Sequence, residues 1–274
     1  MPGDEVEWRP TSSGGAPEGI IEAVHPRRSE ISRTRFGAKH VVVANLDLLV
    51  IVMAVREPQL DRGLLDRLLA TAESAHIETL VCASKIDLAD EAELRPIRAI
   101  YENAGYQVVV TSTATGAGID ALRELLRGRV AAFMGPSGAG KSRMLSALQP
   151  GLELRTGEVN SKSGQGRHTT TRVDLHRTEF GAVLADTPGV REFNLWQMEP
   201  EALPALFREF GRDGIECKFT PCTHIHEPEC AVQRAVEKGA IDAGRYRSYT
   251  ALYQELQVES SAAAARGPRR GKRP

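Results

Sequence analysis

The sequence predicts an α/β fold: a parallel sheet around a phosphate-binding loop whose companion motifs run in rotated order, with a short β segment before it and a metal-binding helical segment after it. Three observations predict this. Gly135 to Ser142 reads GPSGAGKS, a complete GxxxxGKS loop. A base-recognition motif, SKID at Ser84 to Asp87, precedes that loop, whereas in an ordinary nucleotide-binding chain of this type it follows. The stretch CKFTPCTHIHEPEC, beginning at Cys217, crowds cysteine and histidine together near the C-terminus.

The phosphate loop has a specific chemistry. Its glycines let the backbone from Gly135 through Pro136, Ser137, Gly138, Ala139 and Gly140 turn its N–H groups inward around phosphates, Lys141 reaches the terminal phosphates, and the Ser142 hydroxyl suits Mg²⁺. The apolar run Val130 to Met134 leads in as a buried strand, and Arg143 to Leu148 leaves with helical composition. Downstream, GAVLAD from Gly181 to Asp186 is another apolar strand ending in a carboxylate, followed by Thr187, Pro188 and Gly189. Asp186 in that position suits the Mg²⁺ shell, and the N–H of Gly189 suits the γ-phosphate.

Leu80 to Ala83 is a short apolar strand with SKID at its C-terminal end, where open α/β sheets place their ligands. The Asp87 carboxylate can accept two hydrogen bonds, from N1 and N2 of guanine, a donor pair that adenine lacks. Lys85 can lay its aliphatic stem over the base, with Ser84 and Ile86 completing the motif. Val108 to Val110 forms a further strand, and TSTATG from Thr111 to Gly116, with Ser112 and Thr113, resembles the loop that closes over the O6 edge of guanine. Taken alone, SKID reads first as a lysine and an aspartate in a surface turn; the two neighbouring loops are what point to guanine.

ANLD (Ala44 to Asp47), SKID, the phosphate loop, GRHTTT (Gly166 to Thr171), DTPGVREF (Asp186 to Phe193), the Cys/His cluster and RYRSY (Arg245 to Tyr249) occur in this order over about residues 18 to 257. That order resembles the circularly permuted ribosome small-subunit-dependent GTPases, the RsgA/YjeQ family. The resemblance implies a bacterial cytoplasmic GTPase that hydrolyses GTP to GDP and phosphate late in small-subunit assembly, with ribosome-stimulated turnover. It further implies an N-terminal OB-fold, a central circularly permuted P-loop GTPase domain and a C-terminal zinc-binding helical domain. The implied cofactors are one structural Zn²⁺ and Mg²⁺ with GTP or GDP, and the implied partners are the small ribosomal subunit and its rRNA. A monomer is expected. The family usually has Asn where Ser84 stands, and a hydroxyl reproduces only part of an amide's contacts, so weaker guanine affinity is expected. Arg143 and Ser146 replace a small residue and an Asn more typical after the loop, at positions not needed for phosphate contact.

Familiar small GTPases place Gln directly after DxxG to orient water, whereas this chain has Val190, whose side chain cannot hydrogen-bond. Within GRHTTT, Thr170 is assigned to Mg²⁺ together with Ser142 and Asp186, and His168 to positioning water; a basic switch contacting rRNA is an equal reading of His168. The catalytic set is therefore Lys141, Asp186, His168 and Thr170. A second class of function, a guanine-nucleotide-binding RNA or ribosome-binding module with negligible hydrolysis, follows from Ser84 and Val190. A P-loop ATPase or kinase is disfavoured by SKID. Because the chain runs from DTPG directly into the Cys/His region, loss of γ-phosphate is expected to move the C-terminal module.

Composition fits this organisation. At 274 residues, 41% hydrophobic and 26% charged, the chain can bury a sizeable core in more than one domain. Its net charge of −1 does not predict nucleic-acid binding overall, and basic groups are local: Arg27, Arg28, Arg33, Arg35 and Lys39, then Arg167, His168 and Arg172, then a run from Arg266, each readable equally as a solvated face. No signal peptide or membrane span is visible, because the apolar run Val41 to Val55 is interrupted by Asn45 and Asp47 and suits a buried strand. A cytoplasmic location follows, and with it thiols used as ligands or core residues.

Cys217, Cys222, His224 and Cys230, spaced C-x₄-C-x-H-x₅-C, suit a closed tetrahedral Zn²⁺ site with a structural role. His226 is a competing donor, and the family resemblance selects His224. Cys82 reads as a small core residue. At the N-terminus, Asp4 to Trp8 and Gly19 to His25 read as two strands resembling the last part of the family's OB-fold. A five-stranded barrel needs more than about forty residues, so its first strands are expected to be missing. The expected division is a partial OB-fold remnant at 1–38, the GTPase domain at 39–195, the zinc-binding helical domain at 196–258 with helices over Ala231 to Glu237 and Tyr246 to Leu256, and a disordered basic tail at 259–274.

Overall fold

A computed structural model describes residues 1–11, 19–35, 38–151, 173–186, 198–212 and 214–266. GRHTTT, with His168 and Thr170, and the segment holding Gly189 and Val190 lie outside them, as do the last eight residues, and of Asp186 only the backbone is described.

The N-terminal strands pair locally, and β1 alone alternates apolar and charged residues. Strand β1 (Val6–Pro10) runs antiparallel to β2 (Gly19–Val24), and β3 (Glu30–Arg35) antiparallel to β4 (Ala38–Ala44). Among the described residues these are two separate ribbons and form no closed barrel. The β3–β4 ribbon, Glu30–Arg35 with Ala38–Ala44, straddles residue 38, where a domain boundary was expected.

The run Val41 to Val55 is not one strand but two, β4 and β5 (Leu48–Ala54), turned by Asn45 in the left-handed region at φ 54°. The turn explains the ANLD motif. The Asn45 side chain accepts from the Arg28 N–H at 2.8 Å and donates to the Gly3 carbonyl at 2.9 Å, while the Asp47 carboxylate accepts from the Val130 N–H at 2.9 Å. Two short polar side chains thereby fasten the N-terminal ribbons to the strand that leads into the phosphate loop.

The central sheet adds β6 (Thr79–Ser84), β7 (Gln107–Thr111), β8 (Val130–Met134), β9 (Asp174–Arg177) and β10 (Val183–Asp186) in the spatial order β7-β6-β5-β8-β10-β9, parallel except for β9. Strand β5 is buried along its whole length, as a central parallel strand covered on both faces must be. Its alternate residues enter different cores: Leu49, Ile51 and Met53 pack on one face with α1 (Arg62–Ser74), while Leu48, Val50 and Val52 pack on the other with α3 (Ile119–Leu126) and α4 (Lys141–Leu148). Cys82 lies in that second core, fully buried against Thr111 and Met144, and burial pushes its thiol up to about 12. Helix α1 and helix α2 (Glu91–Asn103) begin where Asp61 and Asp90 accept from N–H groups of their first turns, at 3.0 and 2.9 Å.

The C-terminal module stacks on α1. Two 3₁₀ turns, Pro200–Leu206 and Arg208–Gly211, precede α5 (Ala231–Glu237) and α6 (Ala243–Arg266). Their core of Leu203, Phe207, Phe210, Tyr249 and Leu252 includes Ala70 from α1. Helix α6 continues through Arg266, past the boundary expected at 258, since its last turns are built from alanine, the best helix former. At the seam Arg245 is buried between two carboxylates, donating to Asp66 of α1 at 2.8 Å and to both oxygens of Glu209 at 2.8 and 2.9 Å.

Candidate functional site

The parallel strands bring the separated motifs to one edge of the sheet. Residues 135–140 link the C-terminal end of β8 to α4. Gly135 begins this loop at φ 142°, and a Cβ there would sit 2.0 Å from the Val52 carbonyl oxygen, so no side chain fits where the loop crosses β5. Lys141, in the first turn of α4, curls back so that its ammonium donates to the carbonyls of Gly135 and Pro136, both at 2.7 Å. Ser142 is exposed beside it, at the helix terminus whose N–H groups and dipole favour anions.

The base motif lies at the end of β6, two strands from β8. Ser84 is buried, and its hydroxyl donates to the Ala139 carbonyl at 2.7 Å, joining the base motif directly to the phosphate loop. Lys85 follows in the left-handed region at φ 59°, its ammonium donating to the Glu57 carbonyl in the loop after β5. Ile86 packs against the small apolar cluster of Val55, Ala83 and Leu94 and anchors the turn. Asp87 is left exposed at the rim, where its carboxylate accepts from the Ser112 hydroxyl.

Ser112 in turn organises the following loop by accepting from the N–H groups of Ala114 and Thr115, both at 3.2 Å. Gly118 returns the loop into α3 at φ 72°, where a Cβ would lie 1.9 Å from the Val110 carbonyl. Thr113 is half-buried in this loop. Ser84, Lys85, Asp87, Ser112 and residues 135–142 therefore form one continuous wall. The backbone of Asp186 closes β10, whose Ala185 is in register with Ala132 of β8, so that strand ends on the same side of the sheet as the phosphate loop.

One supporting residue carried no signal in the sequence. Arg123 of α3 donates to the carbonyls of Leu148 at 3.1 Å and Ala147 at 2.6 Å, so a cation grips the C-terminal end of the helix whose N-terminus faces the phosphate loop. Its spacing from the loop is that of any charged residue on a surface helix.

The Cys/His cluster is separate from this wall. Cys217 Sγ lies 3.8 Å from Cys230 Sγ and 3.5 Å from His224 Nδ1; Cys222 Sγ lies 4.0 Å from Cys230 Sγ, and His224 Nδ1 lies 3.4 Å from it. A tetrahedral ion with sulfur at about 2.3 Å and nitrogen at about 2.0 Å requires S–S edges of about 3.8 Å and S–N edges of about 3.5 Å, so the donor set fits a single small metal ion. His226 is exposed and outside the cluster.

Burial lowers the pKa of His224, favouring the neutral ligand form, and raises the thiols of Cys222, to about 12, and Cys230; at Cys217 burial is outweighed by the N–H groups of Ala231 and Val232, which pull the thiol down. The loop is locked both from outside and from within. Tyr246 and Gln233 donate to the His224 carbonyl at 2.6 and 3.1 Å, and Glu227 accepts from the Thr223 N–H and hydroxyl at 2.7 Å each. Burial would raise the Glu227 carboxyl, but those hydrogen bonds hold it down at about 2.

Comparison with known proteins places this architecture among relatives. The profile of the RsgA GTPase family matches residues 24–196. The small ribosomal subunit biogenesis GTPase RsgA of Thermotoga maritima is 40% identical over 256 residues, covering 93% of this chain and 83% of that protein; its namesake from Moorella thermoacetica is 43% identical over 256 residues, covering 93% and 84%. Among solved structures, YjeQ from Thermotoga maritima superposes with a TM-score of 0.77 at 37% identity, covering 93% of this chain and 84% of that one. YloQ, described as a circularly permuted GTPase, gives a TM-score of 0.74 at 27% identity, covering 97% and 82%.

Proposed function

The chain belongs to the RsgA GTPase family, and on that premise we propose that it hydrolyses GTP as a late assembly factor of the small ribosomal subunit, working in the cytoplasm on the subunit and its rRNA. One observation carries the nucleotide part: the Ser84 hydroxyl on the Ala139 carbonyl makes the base motif and the phosphate loop a single surface despite their reversed order in the chain. The ribosomal part rests on relatives at 40 and 43% identity over 93% of the chain, whose names assign them to small-subunit biogenesis. No helix among the described residues is long and apolar enough to cross a membrane.

In this reading the backbone N–H groups of 135–140 and the N-terminus of α4 surround the phosphates. Lys141 exchanges the carbonyls of Gly135 and Pro136 for phosphate oxygens and stabilises the charge that grows on them in the transition state. Asp87, held by Ser112, accepts from N1 and N2 of guanine. Ser142 and Asp186, with Thr170, would hold the Mg²⁺ that neutralises charge on the phosphate oxygens, and Gly189 and His168 are assigned to the γ-phosphate and the attacking water.

The guanine reading is tested by nucleotide competition. GTP and GDP should displace a labelled guanine nucleotide far better than ATP, and Asp87→Asn, which replaces one acceptor with a donor, should weaken GDP binding at least about tenfold. ATP competing as well as GTP would rule the site out as a guanine site.

For the C-terminal cluster we assign one structural Zn²⁺ held by Cys217, Cys222, His224 and Cys230, a closed site that supplies folding energy and no open coordination position. Metal analysis of carefully prepared protein should find about one zinc per chain. Cys222→Ala should release it and loosen the C-terminal module while GDP still binds. Protein free of zinc with an unchanged unfolding midpoint would contradict the assignment.

A further inference from the structure

We propose that Ser84 removes guanine N7 from the atoms this site reads, leaving base discrimination to Asp87 and to the loop facing the O6 edge. The inference rests on the guanine-site reading above and deepens it. Guanine presents donors at N1 and N2 and acceptors at O6 and N7, so a protein that reads N7 must bring a donor to it. Ser84 closes β6 at only 3% exposure, and its hydroxyl donates to the Ala139 carbonyl at 2.7 Å. A hydroxyl carries one proton. Turning that proton to N7 would strip its partner from the carbonyl of Ala139, a residue with no exposed surface, so one hydrogen bond would be traded for another with no net gain.

Two neighbouring side chains also spend a donor inside the wall: the Ser112 hydroxyl gives its one proton to Asp87, and the Lys85 ammonium gives one of its three to the Glu57 carbonyl. An asparagine at position 84 would bring two amide protons, one for the Ala139 carbonyl and one for the base. Serine therefore keeps the link between the base motif and the phosphate loop and gives up the second contact.

The test uses the full chain and displacement of a ribose-labelled fluorescent GDP by GTP, by ATP and by 7-deaza-GTP, in which N7 is replaced by C–H. GTP and 7-deaza-GTP should compete within about twofold of each other, with ATP far weaker. Ser84→Asn should tighten GTP about tenfold, the worth of one hydrogen bond to a neutral acceptor, with no such gain for 7-deaza-GTP. If the wild-type chain binds 7-deaza-GTP tenfold more weakly than GTP while still rejecting ATP, the proposal is wrong and the guanine site stands. If ATP competes as well as GTP, both fall. The wild-type comparison decides the matter even if the asparagine variant does not fold.

Discussion

Lys141→Ala should lower GTP turnover at least about a hundredfold, the usual cost of removing one preorganised group aimed at developing transition-state charge. Lys141 already faces the right way, because its ammonium lies on the two carbonyls that open the phosphate loop. Removing it leaves the loop's N–H groups and the end of α4 in place, so the fold and the preference for guanine at Asp87 should survive. Turnover is measured by phosphate release at saturating GTP, with GDP affinity measured in parallel. A variant that retains wild-type turnover would show that this loop is not where the phosphate charge is stabilised.

Arg245→Ala should cost about 3–5 kcal/mol of stability, because it leaves two carboxylates buried without their counter-ion. Asp66 and Glu209 are 0% and 4% exposed at their side chains, and Arg245 only 2%. The guanidinium also lies 4.9 Å from the centre of the Phe207 ring, so its replacement removes packing as well as charge. Replacing all three by apolar residues of similar volume should be far less harmful than the single change, since no buried charge then remains uncompensated. Urea unfolding measures both variants. A single variant within about 1 kcal/mol of wild type would mean that the seam is hydrated and the triad contributes little.

This seam also bears on how a nucleotide signal could move the C-terminal module. Beyond the buried triad, α1 is joined to that module by Arg62 with Asp242, Arg67 with Glu255, and Glu73 with Arg208 at 2.7 Å. A rotation of the module driven by γ-phosphate loss would have to break these pairs together. A lesser displacement would leave α1 and the module moving as one body.

The parts of the molecule readable from sequence are those whose chemistry is local. The phosphate loop, SKID and the Cys/His cluster each place their reacting or ligating groups within a few residues, so spacing alone states the geometry. The same holds for helix α5, which spans Ala231–Glu237 as its periodicity indicates. What was not readable depends on partners far apart in the chain. Asp66 and Arg245 each look like one more charge on an amphipathic helix, and only the packing of α6 on α1 buries them together. The run Val41 to Val55 is interrupted in the sequence by Asn45 and Asp47, but composition shows burial and not direction, and it is the left-handed Asn45 that turns the chain. Ser84 lies between the two cases. Its identity suggests a weakened contact, and its hydrogen bond to Ala139 says which contact is kept.

The most direct test is GTP turnover by the full chain with and without purified ribosomal subunits. Val190 offers no amide to orient water, so the isolated protein should turn over slowly, and docking on the small subunit should raise the rate by ordering the groups around the attacking water. Small subunits should therefore stimulate hydrolysis substantially while large subunits leave it unchanged, and Lys141→Ala should abolish the stimulated rate as well as the basal one. If saturating small subunits bind the protein and turnover does not change, the chain is a guanine-nucleotide-binding ribosome-binding module and not an assembly GTPase.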